Sequence, residues 1–353
     1  MDFNFILNQF KIYADINPYG NGHINDTYYA KTDNYIIQRI NTSIFKDPYK
    51  LMENIENVTS FLGKKILKAG GNPERETLTV VKTHNDKNFY QDATGCYRVY
   101  KFIDKTKTIE NDKTKEDMYN AGKGFGKFQN MLSDFPVEKL HETIKDFHHT
   151  PKRVEALKAA ISENKAGRLE LVKEEVEFAL SCEKFADKIV KGIENGSIPL
   201  RVTHNDTKIN NILFDEKTGE AVCVIDLDTV MPGSMLYDFG DALRIGASTG
   251  AEDETDLEKI WFDVEIFEKF AKGFLEETKN SLTKKEIELI PFSAKLMTYE
   301  CGIRFLTDYL NGDTYFKIHK EHHNLDRARN QFKLVKDIES KEKELSEIIL
   351  NLL

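Results

Sequence analysis

The stretch Thr203-His204-Asn205-Asp206-Thr207-Lys208-Ile209-Asn210-Asn211 leads into two short apolar runs, Asn211 to Phe214 and Ala221 to Ile225, and the second run ends in Asp226-Leu227-Asp228. Between the runs, Asp215 to Glu220 carry turn chemistry around Gly219, so the pattern predicts a β-hairpin. Asp206, the amide Asn211 five residues on and Asp226 twenty residues on therefore bracket one hairpin. A carboxylate at the end of an apolar strand is rigidly aimed. Hard oxygen donors suit a magnesium-like cation, and a set of only two leaves coordination positions open for phosphate oxygens and water.

The order and spacing match the loop H-R-D-x-x-x-x-N of phosphoryl-transfer enzymes, in which the aspartate receives the acceptor's proton and the asparagine holds magnesium. Such a reaction asks little covalent work of the protein. It asks for alignment of a hydroxyl with the γ-phosphate and for neutralisation of the equatorial oxygens. On this reading Asp206 is the base, Asn211 and Asp226 hold Mg2+, and Lys208 faces the transferred group. An Asx-rich turn ahead of a hairpin accounts for any one of these residues but not for the ordered set. Asp238-Phe239-Gly240 spells D-F-G, yet it falls thirty-two residues past Asp206. Asp226 is therefore preferred as metal ligand, and Asp238 is expected to cap a helix running through Ala242-Leu243-Arg244.

Working outward toward the amino terminus, the first hundred residues read as strands around one helix. Lys11 to Tyr19 is extended and interrupted by Pro18, and Thr27 to Lys31 with Tyr35 to Ile40 form a hairpin across Thr32-Asp33-Asn34. Asp47-Pro48 gives an N-cap followed by proline, and Leu51, Met52, Ile55, Val58 and Leu62 recur at helical spacing until Gly70-Gly71. Thr77 to Thr83, Asn88 to Gln91 and Cys96 to Ile103 are further strand candidates. Gly20-Asn21-Gly22-His23-Ile24-Asn25 lies between two strands, where a G-x-G backbone can approach anionic oxygens closely; a tight Asn-Gly turn without a ligand is its bland alternative. Arg39 stands on the third strand as a cation able to grip phosphate, with Glu56 or Glu53 of the following helix as its expected partner.

Beyond Asp104 the periodicity turns helical, which suggests a lobe of residues 1–104 and a larger one of 105–353. An apolar stripe runs from Val172 to Ile193, and similar patterns cover roughly 114 to 133, 257 to 279, 284 to 310 and 325 to 350. Near the end of one of them, Arg304 and Tyr315 present planar donors and an aromatic edge suited to a polyhydroxy compound; a capped helix end is the bland alternative. The pairs His148-His149 and His322-His323 lack metal-ligand spacing and are expected at the surface.

The 353 residues are enough for roughly two domains of ~150 residues. A hydrophobic share of 40 % with 31 % charged residues is ordinary for a globular core and argues against wholesale disorder. Fifty basic against fifty-nine acidic residues leave a net −9, the wrong sign for holding nucleic acid. No apolar run approaches the ~18 residues of a membrane span, and Met1 to Ile16 lack a signal-peptide pattern, so a soluble cytoplasmic protein is expected, with no membrane partner. Cys96, Cys182, Cys223 and Cys301 have no metal-binding spacing and are expected as reduced, buried thiols. Nothing in these residues specifies an oligomeric state.

In order, the Gly20 loop, the Arg39 strand, His204-x-Asp206-x-x-x-x-Asn211, Ile225-Asp226 and Tyr237-Asp238 resemble the aminoglycoside phosphotransferase and choline kinase family. The resemblance implies an α+β, two-lobed, protein-kinase-like fold, with a small antiparallel sheet and one main helix in the first lobe and a mainly helical second lobe. It implies ATP and Mg2+ as cofactors, Gly20 to Asn25 as phosphate cover, and backbone from Tyr100 to Asp104, including Phe102 and Asp104, against adenine. Residues 20 to 28, 204 to 211, 225 to 233 and 237 to 244 resemble most closely the branch that phosphorylates the anomeric hydroxyl of N-acetylglucosamine or N-acetylgalactosamine. That branch implies Asp206, Arg304 and Tyr315 as sugar contacts. Choline, homoserine and aminoglycoside acceptors are the alternatives within the family; a nucleotide-binding regulator and a metal hydrolase are those outside it.

Overall fold

The computed structural model describes residues 3–20, 24–32, 34–110 and 113–353. Asn21, Gly22 and His23 of the glycine loop and Asp33 of the first hairpin turn lie outside the described residues. The chain forms two compact units, one of Met1–Glu110, Met131–Lys145 and Asn210–Pro232, the other of Asn111–Asn130, Asp146–Ile209 and Gly233–Leu353.

The first unit is built on five strands, β1 (Ile16–Pro18), β2 (Asp26–Ala30), β3 (Tyr35–Ile40), β4 (Tyr90–Asp92) and β5 (Gly95–Lys101), in the order β1-β2-β3-β5-β4 with every pair antiparallel. Strand alternation gives the sheet two faces. On one face Ala30, Ile37, Tyr97 and Val99 pack with Ile6, Leu7, Phe10 and Ile12. Ile6 and Leu7 lie on a short helix, Phe3–Asn8, in a segment where no element was expected. The helix Pro48–Lys68 starts as the cap pattern predicts: the Asp47 carboxylate accepts from the Lys50 N–H at 3.2 Å, and Gly70 follows the end with φ +81°. Thr77 to Thr83 falls short of a strand, because two short segments share the outer edge of β5. Tyr90–Asp92 covers Gly95 to Tyr97, while Val81 N–H donates to Val99 O and Lys101 N–H to Thr79 O. The predicted hairpin is present as Ile212–Asp215 and Ala221–Val224, with Gly219 at φ +73° in the turn, and Thr106–Lys107 adds a third strand.

The second unit is mainly helical. Its longest helix, Lys284–Asn311, packs against Met235–Gly246 and His323–Ser340. It opens on a capping box of Thr283 and Glu286 and ends at Gly312 with φ +94°. The stripe from Val172 to Ile193 is carried by two helices, Lys173–Ser181 and Lys188–Glu194, and the 3₁₀ turn between them places Phe185 against Phe292 and Tyr299. Lys115–Met131 and Val264–Thr278 approach so closely that a Cβ on Gly122 would strike the Phe270 carbonyl and one on Gly273 the Tyr119 carbonyl. Among the described residues no helix is long and apolar enough to cross a membrane. All four cysteines are free and buried, as expected.

Candidate active site

In the helical unit, strand residues Arg201–Thr203 deliver the chain into the loop His204 to Ile209. Asn205 turns it through left-handed backbone at φ +65°. Such a bend in a non-glycine residue costs free energy and needs outside support. Asp238 supplies it: its carboxylate accepts from His204 N–H at 2.9 Å, Asn205 N–H at 2.7 Å and the Gln129 amide at 2.5 Å, while its carbonyl accepts from the Thr207 hydroxyl. Asp241, one turn further on, accepts from Thr207 N–H at 3.0 Å.

The expected N-cap role of Asp238 is thereby corrected. The helix Met235–Gly246 begins earlier and is capped by Ser234, whose hydroxyl accepts from Leu236 N–H. Asp238 stands inside the helix because a buried loop with several orphan N–H groups needs a carboxylate there more than the helix end does.

The loop brings Asp206 and Lys208 to 3.2 Å. Burial works against the Asp206 carboxylate, but the charges of Lys208, His204 and Arg244 outweigh it and hold the acid below its usual range. Asp206 in turn holds the Lys208 ammonium above the usual lysine range. A carboxylate this weakly basic suits orienting a hydroxyl and accepting its proton late.

The same unit brings Arg304 and Tyr315 together, 5.9 Å from guanidinium to ring, with Phe147 and Phe316 also against the guanidinium at 5.8 and 5.5 Å. The turn carrying Tyr315 is tied by buried Asp308, whose carboxylate accepts from the N–H groups of Thr314, Tyr315 and Phe316 and from the Asn324 amide.

In the sheet-containing unit, Ile225 N–H donates to Asn211 O at 2.9 Å, one step beyond the Ile212↔Val224 pair. Asn211 and Asp226 therefore leave the same end of the hairpin, Asp226 in left-handed backbone at φ +58°. Their amide and carboxylate oxygens are the hard donors that Mg2+ takes. Beside them lies a buried ion pair that sequence reasoning missed: Arg98 of β5 meets Asp228 at 2.5 Å and takes two further bonds to Gln38 Oε1, at 3.0 and 2.8 Å. Asn25 of the glycine loop donates to Asp228 at 2.7 Å and accepts from Asn41 N–H.

The expected pairing of Arg39 with Glu56 or Glu53 does not occur. Arg39 bonds the Thr94 carbonyl at 2.9 Å and lies 3.6 Å from Asp26, while Glu56 is taken by Lys82 and Asn88, and Glu53 by His141. The reason is alternation. Gln38, directly across from Arg98, shares its face, so Arg39 points to the opposite one. The available signal was an arginine embedded in the apolar strand Cys96-Tyr97-Arg98-Val99-Tyr100.

Of the other residues expected on the nucleotide side, Gly20 has φ +74° with open space where a Cβ would stand, and Ile24 is exposed. Phe102 packs on Tyr29 at 4.6 Å and edge-on to Tyr19 at 6.1 Å. The Asp104 carbonyl accepts from Arg75 at 2.7 Å, and Arg75 also pairs with Asp215 of the hairpin. Two of the histidines expected at the surface are buried: His323 bonds Asp253 at 3.0 Å, and His148 lies behind the loop His204 to Ile209.

A small antiparallel sheet with one main helix, a mainly helical second unit and the H-x-D-x-x-x-x-N loop define a phosphotransferase of the kinase-like fold. Residues 15–263 match the model of the phosphotransferase enzyme family, APH, and the chain belongs to that family. An aminoglycoside phosphotransferase from Alicyclobacillus acidocaldarius is similar over 99 % of this chain and 96 % of its own, at 11 % identity and a TM-score of 0.64. Amicoumacin kinase hAmiN, solved with AMP-PNP, Ca2+ and Ami, is similar over 97 % and 94 % at 14 % identity and a TM-score of 0.61. The streptomycin–ATP–APH(2'')-IIa complex matches over 95 % and 97 % at 14 % identity and a TM-score of 0.56.

Proposed function

We propose that the chain is an N-acetylhexosamine 1-kinase, transferring the γ-phosphoryl group of ATP to the anomeric hydroxyl of N-acetylglucosamine or N-acetylgalactosamine. The nucleotide half of the reading is supported by family membership and by the ATP and AMP-PNP in two related structures. The acceptor half is carried by one observation: Arg304 stands among Tyr315, Phe147 and Phe316. A guanidinium framed by aromatic rings offers hydrogen-bond donors and apolar faces to a neutral sugar, and repels the ammonium groups of choline or an aminoglycoside.

The sugar hydroxyl attacks phosphorus in line. The new O–P bond forms as the bridging P–O bond breaks, ADP leaves with the electron pair, and the hydroxyl proton passes to Asp206. Lys208 lies beside the base, where its charge faces the transferred group. Asn211 and Asp226 would hold Mg2+, which supplies charge neutralisation on the phosphate oxygens. On this reading the stretch Gly20 to Asn25 covers the phosphates and Phe102 and Asp104 mark the adenine side, while Arg39, on the sheet face opposite Arg98, takes no part.

The test is a panel of N-acetylhexosamines, hexoses, choline, homoserine and aminoglycosides scored for acceptor-dependent ADP release, with phosphorus NMR to locate the new ester. A sugar 1-phosphate is the expected product; turnover of choline or an aminoglycoside in preference to any N-acetylhexosamine overturns the acceptor assignment. Asp206→Asn should lower kcat by ~10² to 10⁴-fold with folding intact.

A further inference from the structure

His148 is buried directly behind the catalytic loop. Its Nδ1 lies 2.8 Å from Glu300 Oε1, and its Nε2 lies 3.2 Å from the carbonyl oxygen of Asn205, the residue before Asp206. A carboxylate and a carbonyl are both acceptors. For both bonds to form, each ring nitrogen must carry a proton. The other Glu300 oxygen accepts from the Thr150 hydroxyl at 2.6 Å. Burial works against the Glu300 charge, but His148, Thr150 and the charge of Arg304 more than offset it, so the carboxylate titrates below the usual glutamate range.

We propose that His148, its ring oriented by Glu300, is the positioning residue that fixes Asn205 and so the aim of Asp206. The peptide plane before Asn205 is pinned through its N–H by Asp238, and the plane after it is pinned through its carbonyl by His148. With both planes held, the left-handed torsions of Asn205 are determined, and with them the direction in which Asp206 leaves the loop. Against the ring lie Glu300, Tyr237 of the neighbouring helix at 5.3 Å and Phe147 at 4.6 Å; the charges of Arg304, one turn along the helix of Glu300, and of Arg153 act on Glu300. The Tyr237 phenol is pushed above its usual range by burial and then by Glu300, so it stays neutral and leaves Glu300 as the counter-charge.

The kinetic arm of the test rests on the phosphotransfer reading; the amide-exchange arm does not. In His148→Gln, kcat should fall on the order of 10²-fold with the KM for ATP unchanged, as expected for a misaimed base. Glu300→Gln, which takes away the anchor of the ring, should likewise lower kcat with the KM for ATP unchanged; an unmoved kcat overturns the proposal. If no acceptor is turned over at all, amide exchange decides positioning. In His148→Gln the Asn205 and Asp206 amides should exchange faster while those of His323–Ser340 stay protected, and equal protection of the loop overturns it.

Discussion

Replacing Asp228 by asparagine removes one charge at nearly constant volume from the pair with Arg98, whose side chain is only 1 % exposed. Asp228 has two partners: Asn25, which donates to Oδ2, and the Arg98 guanidinium, which is ion-paired with Oδ1. An asparagine can present its oxygen to one of them only, so in either orientation an NH₂ group faces a donor. Arg98 keeps its two bonds to Gln38 but loses its counter-charge. Breaking one side of a buried ion pair costs about 3–5 kcal/mol, a large part of an ordinary total stability of roughly 5–15 kcal/mol. The exposed Arg39–Asp26 pair is the internal control, since surface pairs contribute about 0–1 kcal/mol. Urea unfolding followed by circular dichroism, with amide exchange on β5, should therefore show a large loss for Asp228→Asn and almost none for Asp26→Asn. Arg98→Met in the Asp228→Asn background should recover part of the loss, because no uncompensated buried charge remains. A loss below about 1 kcal/mol for Asp228→Asn, or an equal loss for Asp26→Asn, would refute the reasoning.

Glu300 and Glu252 titrate below the usual glutamate range, so each contributes stability that is present above about pH 4.3 and lost as pH falls through its folded value, whereas Asp238, raised by burial, works in the opposite direction. Acid unfolding should therefore set in below about pH 4.3, with a shallower pH dependence in Glu300→Gln. Burial pushes the thiols of Cys96 and Cys223 up to about 12 and that of Cys301 to about 11, so a thiol reagent should label these three slowly in native protein and rapidly in urea. Gly122→Ala should cost about 1–3 kcal/mol in thermal or urea unfolding, because the obstacle is the backbone carbonyl of Phe270 rather than a movable side chain. Asp308→Ala should raise the acceptor KM more than the ATP KM, since it frees the turn that carries Tyr315.

Local signals were legible along most of the chain. The Asp47-Pro48 start, the hairpin around Gly219 and the buried cysteines follow from capping, turn chemistry and apolar patterning, each set within a few residues of chain. The spacing of Asp206, Asn211 and Asp226 was equally readable, because it is a property of one loop and one hairpin. Partner choice was not. Arg39 and Arg98 are both strand arginines, and only the register that sets Gln38 across from Arg98 decides which of them is buried against Asp228. Asp238 read as a helix cap until the loop it clamps, more than thirty residues earlier, was folded beside it. His148 looked like one of a surface pair, yet its partners lie 57 and 152 residues away. The sequence by itself determined most of the elements and the order of the motif residues, since periodicity and caps act through near neighbours. Only the tertiary structure decided which charges are buried together, because that depends on faces and registers brought into contact from distant parts of the chain.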